Sequence, residues 1–176
     1  MGKQYKKLTQ KDIEFIKEQK LFYIASASVG EVNLSPKGYD SIRVLDESNI
    51  VFMSYVGSGN RTYRDAINGG EFTLVFNAFE GKAKILRLFC KAKIVDRNSD
   101  KFGEYLGEFN EKSSLVRDFF IFGIYAVESS CGESIPYMEY KGERDSLKSW
   151  MKKMDESDRL EEYKENHLSP PSLEKS

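Results

Sequence analysis

Residues 85–95 read ILRLFCKAKIV, and the alternation in this stretch decides the fold class. Every second position is apolar: Leu86, Leu88, Cys90, Ala92 and Ile94. The positions between them carry mostly charged side chains: Arg87, Phe89, Lys91 and Lys93. Because successive side chains of a strand point to opposite faces of a sheet, this period of two predicts a strand with one face on a core.

Further strands are predicted on both sides of this stretch. Residues 72–79 and 119–127 are nearly continuous runs rich in aromatic and β-branched side chains, which favour strands. Four shorter candidate strands precede them, at residues 21–27, 32–34, 42–45 and 50–54. Helices are predicted near residues 9–20, 61–68, 100–109, 144–154 and 158–166. Six or seven short strands with flanking helices predict a mainly-β protein built on an antiparallel barrel.

Composition excludes several classes of protein. The 176 residues suit one domain, and 27 basic against 28 acidic side chains argue against a dedicated nucleic-acid binder. No apolar run approaches the roughly 20 residues of a membrane span, and two reduced cysteines suit a cytoplasmic protein. His167 is the single histidine, so a multi-histidine metal site is impossible. Redox or acid–base chemistry would therefore need other side chains or a cofactor.

Three segments carry side chains that suit a phosphate group. Residues 33–38 (NLSPKG) place the hydroxyl of Ser35 and the ammonium of Lys37 at a strand end. Residues 57–62 (GSGNRT) open a helix with two glycines and Arg61, and Arg87 lies opposite the apolar row. A polar turn, a capped helix start and a solvated strand face are the alternatives for each segment alone. Together the three segments favour an organic phosphate as the ligand.

The same segments carry a family resemblance. Residues 33–45 (NLSPKGYDSIRVL), 57–60 (GSGN), 79–88 (FEG followed by ILRL) and 130–145 (SCG, IP and GERD) resemble the pyridoxamine 5'-phosphate oxidase-related, FMN-binding split-barrel family. Within it they are most similar to a branch with a Ser-Pro-Lys-Gly motif. The motifs agree with the family in order and spacing over roughly residues 10–165.

The resemblance implies a six-stranded antiparallel split β-barrel that forms a homodimer with FMN at the subunit interface. The barrel domain is expected over residues 1–166, and the Ser-Pro-Pro-Ser stretch at residues 169–172 predicts a disordered tail over residues 167–176. The residues implied to hold the cofactor are Ser35, Lys37, Ser54, Ser58, Asn60, Arg61, Thr62 and Arg87. FMN would then perform the redox step for a small-molecule substrate or electron donor.

Departures from the true oxidases bear on the reaction. Those enzymes carry Arg-x-Val-Leu-Leu-Lys, whereas Arg43-Val44-Leu45 is followed here by Asp46. Their C-terminal arginine and histidine signature for pyridoxal phosphate has no clear counterpart in this sequence. These departures argue against pyridoxamine phosphate oxidation, and the sequence predicts an FMN-dependent oxidoreductase whose substrate it does not identify. The alternative is a non-catalytic module that binds or senses a flavin, a deazaflavin or haem.

Overall fold

A computed structural model describes residues 2–28 and 30–173 of the chain. Within these ranges eight strands form one sheet: β1 Lys3–Tyr5, β2 Phe22–Ser28, β3 Glu31–Lys37, β4 Ile42–Val44, β5 Asn49–Tyr55, β6 Glu71–Asn77, β7 Ile85–Val95 and β8 Val116–Ser130. The α-helices are α1 Gln10–Glu18, α2 Arg61–Ile67, α3 Phe102–Leu106, α4 Ser146–Glu156 and α5 Leu160–Asn166. A 3₁₀ turn at Ser113–Leu115 leads into β8.

All strand pairs of the sheet are antiparallel, in the order β3-β2-β6-β7-β8-β5-β4. The mainly-β antiparallel class is as predicted, but the described residues contain eight strands rather than six. β8 makes the larger number possible, because its 15 residues pair with β5 near one end and with β1 near the other. β1 was missed because its sequence, KQY, has no apolar alternation.

The sheet curls around an apolar interior. Phe22 on β2 lies edge-on to Phe52 on β5, with 5.9 Å between ring centroids, although β6, β7 and β8 separate these strands in the sheet. The interior side of β7 is fully buried at Leu86, Leu88 and Cys90, as its alternation predicts. No pairing joins the two end strands, β3 and β4, in the described residues. The curled sheet is therefore open along one line.

The start of α1 follows from local chemistry. Thr9 caps α1 in a capping box with Asp12, whose carboxylate accepts from the Thr9 backbone N–H at 3.0 Å.

None of the helices in the described ranges combines the length and apolar character needed to cross a bilayer. Cys90 is buried and Cys131 exposed, and both are free thiols.

Candidate functional site

A cavity of about 670 Å³ lies where the curled sheet is open. Its walls come from β3, β5, the loop between β5 and α2, the first residues of α2, and short stretches after β3, in α4 and near residue 170. The lining residues include Asn33, Ser35, Lys37, Tyr39, Phe52, Ser54, Tyr55, Ser58, Arg61, Thr62, Leu147 and Pro171. We call this space the β3–β5 cavity. No described lining residue carries a carboxylate, so the cavity suits an anionic ligand.

Six of the eight residues predicted from the sequence line this cavity: Ser35, Lys37, Ser54, Ser58, Arg61 and Thr62. They come from three separate segments of the chain, and only the curling of the sheet brings them together. Asn60 and Arg87 do not line it.

β3 supplies one wall because its side chains alternate between the cavity and solvent. Asn33, Ser35 and Lys37 are part-buried, whereas Val32 and Leu34 are 85% and 62% exposed. The period of two thus places the hydroxyl of Ser35 and the ammonium of Lys37 on the same face. The opposite face of β3 is apolar and uncovered.

Asn33, which sequence reasoning did not assign to the site, organises the hydroxyl groups of the cavity. Its Nδ2 donates to Ser26 Oγ at 3.1 Å and to Thr62 Oγ1 at 3.4 Å, and its Oδ1 accepts from Ser35 Oγ at 3.4 Å. Because Thr62 Oγ1 accepts from Asn33, the hydroxyl proton of Thr62 is free to donate elsewhere. The signal was available, since Asn33 lies two residues before Ser35 on the same strand face.

A buried carboxylate anchors this network from below. Asp65 on α2 is fully buried and accepts from Ser26 Oγ at 2.6 Å and from Ser28 Oγ at 2.5 Å. It also accepts from Arg64 Nε at 2.9 Å and Nη2 at 2.8 Å. Burial raises the pKa of Asp65, but the hydrogen bonds from Ser26, Ser28 and Arg64 outweigh it, and the net pKa lies below the usual value. Asp65 therefore remains ionised and ties α2 to β2.

Arg61 provides the cation at the helix end of the cavity. Its Nη1 donates to Glu31 Oε2 at 2.9 Å, and its Nη2 donates to the Pro171 carbonyl at 2.9 Å. Arg64 pairs with the same Glu31 carboxylate. Glu31 and Asp65 thus balance the charges of Arg61 and Arg64, and the Arg61 guanidinium lies at the cavity wall next to Thr62.

Lys37 provides a second cation with different surroundings. Its ammonium lies 5.6 Å from the centroid of the Phe52 ring and has no hydrogen bond or ion pair to any described residue. Burial lowers the pKa of Lys37, because no nearby carboxylate offsets the loss of water. A part-buried ammonium with this surrounding suits an electron-rich group.

Two tyrosine rings also line the cavity. Tyr39 packs edge-on against Tyr55 with 5.5 Å between ring centroids, and Lys148 lies over both rings at 5.0 and 5.3 Å. Tyr39 has a φ of 58°, which is unusual for a bulky side chain. Its hydroxyl donates to the Arg144 carbonyl at 2.6 Å, so tertiary contacts hold it in this conformation.

Asn60 and the buried Arg117 tie the β5–α2 loop to the C-terminal segment. Asn60 Nδ2 donates to the Leu168 carbonyl at 2.7 Å instead of capping α2. Arg117 donates through Nη2 to the Gly57 carbonyl at 3.0 Å and through Nη1 to the His167 carbonyl at 3.3 Å. Asn60 is thus a loop-positioning residue in this chain. Within the predicted tail, Pro170 and Pro171 line the cavity, and residues 174–176 lie outside the described ranges.

Arg87 is placed elsewhere. It lies on β7 and donates through Nη1 to Glu128 Oε1 at 3.2 Å and to Ser130 Oγ at 3.1 Å. β2 and β6 separate β7 from β3 in the sheet, so Arg87 does not reach the β3–β5 cavity of its own chain. Cys131 does not line the cavity either.

No family model matches the chain, but its sequence is similar to that of a known protein. The chain is 29% identical over 140 residues to the pyridoxamine 5'-phosphate oxidase family protein ustO of Aspergillus flavus. The match covers 77% of this chain and 56% of that protein, so the chain spans little more than half of its relative's length.

Solved structures share the fold at lower sequence identity. A candidate pyridoxamine 5'-phosphate oxidase from Lactobacillus delbrueckii superposes with a TM-score of 0.55 at 21% identity, covering 70% of this chain and 98% of that one. An FAD-binding protein from Mycobacterium smegmatis superposes with a TM-score of 0.51 at 10% identity, covering 72% and 97%. At these identities the likeness establishes the fold alone.

Proposed function

We propose that this chain, which is related to the pyridoxamine 5'-phosphate oxidase family in sequence and in fold, binds FMN in the β3–β5 cavity and passes electrons through it. The observation that carries the proposal is the gathering of Ser35, Lys37, Ser54, Ser58, Arg61 and Thr62 around one space without a lining carboxylate. Cations and hydroxyl donors converging on one cavity suit a phosphorylated ligand.

The residues present fit the two parts of FMN. A volume of about 670 Å³ lies within the usual range for cofactor sites. Arg61, Thr62 and Ser58 would hold the phosphate, and Asn33 orients the Thr62 hydroxyl for this purpose. Phe52, Tyr39 and Tyr55 offer an aromatic surface for the flavin ring. A bound flavin would supply the electron-transfer chemistry that these side chains lack.

The relatives support a flavin over other organic phosphates. The fungal relative carries the oxidase-family name, and the mycobacterial structure of the same fold is that of an FAD-binding protein. FMN, which has one phosphate group, is the proposed form because the part-buried cavity offers one cluster of hydrogen-bond donors for a phosphate, around Arg61. Haem is less suited, because the chain's single histidine, His167, stacks on Tyr163 with 3.9 Å between ring centroids.

We assign the protein as an oxidoreductase with a small-molecule substrate or electron donor rather than as a storage module. Access favours this assignment, because the cavity opens at the surface between β3 and β5 instead of being sealed in the core. The C-terminal arginine and histidine that bind pyridoxal phosphate in the true oxidases have no clear counterpart in this sequence, so another substrate is expected. Reduction of the bound flavin by a reduced nicotinamide under steady-state conditions distinguishes an enzyme from a binding module.

A homodimer is part of the proposal. β3 is an end strand of the sheet, and its outward side chains Val32 and Leu34 are 85% and 62% exposed. An uncovered apolar edge strand invites pairing with another chain. A second copy bound there would pack against the outer face of β3, the strand that carries Ser35 and Lys37 on its inner face. Sedimentation of Leu34→Glu should then show a monomer, and a monomeric native protein would refute this part. Free thiols at Cys90 and Cys131 suit a cytoplasmic location.

The first experiment is the visible spectrum of the purified protein, with the released cofactor identified by mass. About one FMN per chain is expected. Arg61→Ala should then weaken FMN binding by about 10- to 150-fold, the effect of losing one charged hydrogen bond of about 1.5–3 kcal/mol. Arg97→Ala is the matched control, because Arg97 also pairs with a glutamate but lies outside the cavity. A colourless protein that takes up no added FMN would refute the proposal.

A further inference from the structure

The two cations of the β3–β5 cavity lie at opposite ends of it. Inward-facing positions of β3 give the scale: Glu31 bonds Arg61 at 2.9 Å and Asn33 bonds Thr62 at 3.4 Å. At about 3.3 Å per residue, the backbone of Lys37 lies roughly 13 Å from Asn33 and roughly 20 Å from Glu31.

The contacts of Lys37 agree with this spacing. Its ammonium lies near the ring of Phe52 on β5, whereas Ser54 is two residues further along β5 towards the loop at residues 57–60. Charge-assisted hydrogen bonds to phosphate need about 2.7–2.9 Å between heavy atoms. A phosphate held by Arg61 and Thr62 therefore lies at the end of the cavity away from the ammonium of Lys37.

The chemistry of the Lys37 end differs from that of the Arg61 end. The amide of Asn33 and the hydroxyl of Thr62 lie at the Arg61 end, whereas the ring of Phe52 lies 5.6 Å from the ammonium of Lys37. The ring of Tyr39, two residues after Lys37, also lines the cavity. The Lys37 end suits a flat aromatic ring with a polar edge rather than a phosphate. The unpaired ammonium then has an obvious partner, an electron-rich carbonyl or ring nitrogen.

We propose that Lys37 binds the ring of the flavin rather than its phosphate, and that its charge favours the reduced flavin. The inference rests on the proposed function, because it takes FMN as the ligand of the cavity. A hydride donor that is oxidised there passes two electrons and one proton to the flavin, which adds one negative charge to it. Lys37 is placed to offset that charge.

Comparing FMN with riboflavin tests the assignment, because riboflavin has the same ring and no phosphate. Lys37→Met should weaken both ligands by the same factor, on the order of tenfold, and leave their affinity ratio unchanged. Arg61→Ala should instead weaken the binding of FMN alone, so that the affinities for FMN and riboflavin become similar. If Lys37→Met weakens FMN but not riboflavin, Lys37 holds the phosphate and the inference is wrong.

The reduction potential of the bound flavin provides a second readout. Lys37→Met should lower it by about 30 mV for each tenfold loss of preference for the reduced form, and Lys37→Arg should restore most of it. An unchanged potential in Lys37→Met would overturn the inference. If Lys37→Met does not fold, Lys37→Gln replaces it in both measurements. Wild-type protein that binds neither flavin refutes the proposed function itself, which separates that failure from an error about Lys37.

Discussion

Replacing Asp65 by alanine tests the network beneath the cavity. The carboxylate is fully buried and takes hydrogen bonds from two serines on β2 and from Arg64, at 2.5–2.9 Å. Asp65→Ala would leave Ser26 and Ser28 without their acceptor. It would also leave Arg64 with Glu31 as its remaining ion-pair partner among the described residues.

The expected cost follows from the burial of this carboxylate. Removing one partner of a buried, hydrogen-bonded ion pair typically costs about 3–5 kcal/mol, so Asp65→Ala should lower the free energy of unfolding by that amount. Asp65→Asn keeps the shape and one acceptor oxygen, and it should cost less, about 1.5–3 kcal/mol. Because Ser26 also accepts from Asn33, which bonds Thr62, the affinity for FMN should fall as well.

Urea denaturation followed by circular dichroism measures the effect on stability. With a slope of about 1–3 kcal/mol per molar urea, Asp65→Ala should shift the midpoint by at least about 1 M. Asp100→Ala is the control, because Asp100 is an exposed carboxylate and should change stability by less than about 0.5 kcal/mol. If Asp65→Ala lowers the free energy of unfolding by less than about 1 kcal/mol, close to the small effect of the control, the reasoning is refuted.

The pH dependence of the same network has a definite sign. The folded-state pKa of Asp65 lies below its unfolded value of about 3.9. Its contribution to stability is therefore complete above that value and is lost as the pH falls through the lower, folded pKa. The stability difference between the wild type and Asp65→Asn should shrink only in acid.

Two further predictions concern other buried groups. Burial raises the pKa of Asp118 to about 6, although the charge of Arg117 opposes this shift. The free energy of unfolding of the wild type should therefore fall by about 3 kcal/mol as the pH rises from roughly 4 to 7. Asp118→Asn should remove that fall in urea titrations at several pH values, and parallel profiles would contradict the assignment. Burial also raises the pKa of the Cys90 thiol, whereas Cys131 is exposed. A chromogenic thiol reagent should therefore react quickly with one thiol in the native protein and with two in denaturant, and two fast native thiols would show that the core opens.

The sequence predicted the strands where side-chain periodicity is strong. The bounds of β7, residues 85–95, agree with the prediction, because an alternating run of eleven residues suits no other regular structure. The nearly continuous apolar run at residues 72–79 would suit a strand covered on both faces, but Thr73 and Val75 of β6 are only half-buried. A continuous apolar run does not reveal which of its faces meets a neighbour.

The family resemblance was also available from the sequence, and the comparisons confirm it. Short motifs in a fixed order carry this information, because each demands particular backbone geometry and side-chain chemistry. The same motifs led to the assignment of Asn60 and Arg87 to the cofactor site. In the chain itself Asn60 holds the C-terminal segment, and Arg87 pairs with Glu128.

By itself the sequence determined the mainly-β class, the approximate positions of seven of the eight described strands, and the kinds of side chain that form the site, because these depend on residue type and local period. Only the tertiary structure decided that β3 and β5 line one cavity. It alone placed Arg61 and Lys37 at opposite ends of one cavity and set Asp65, Ser26 and Asn33 in one network. These arrangements depend on the curl of the sheet and on distances between segments remote in sequence, which no local pattern encodes.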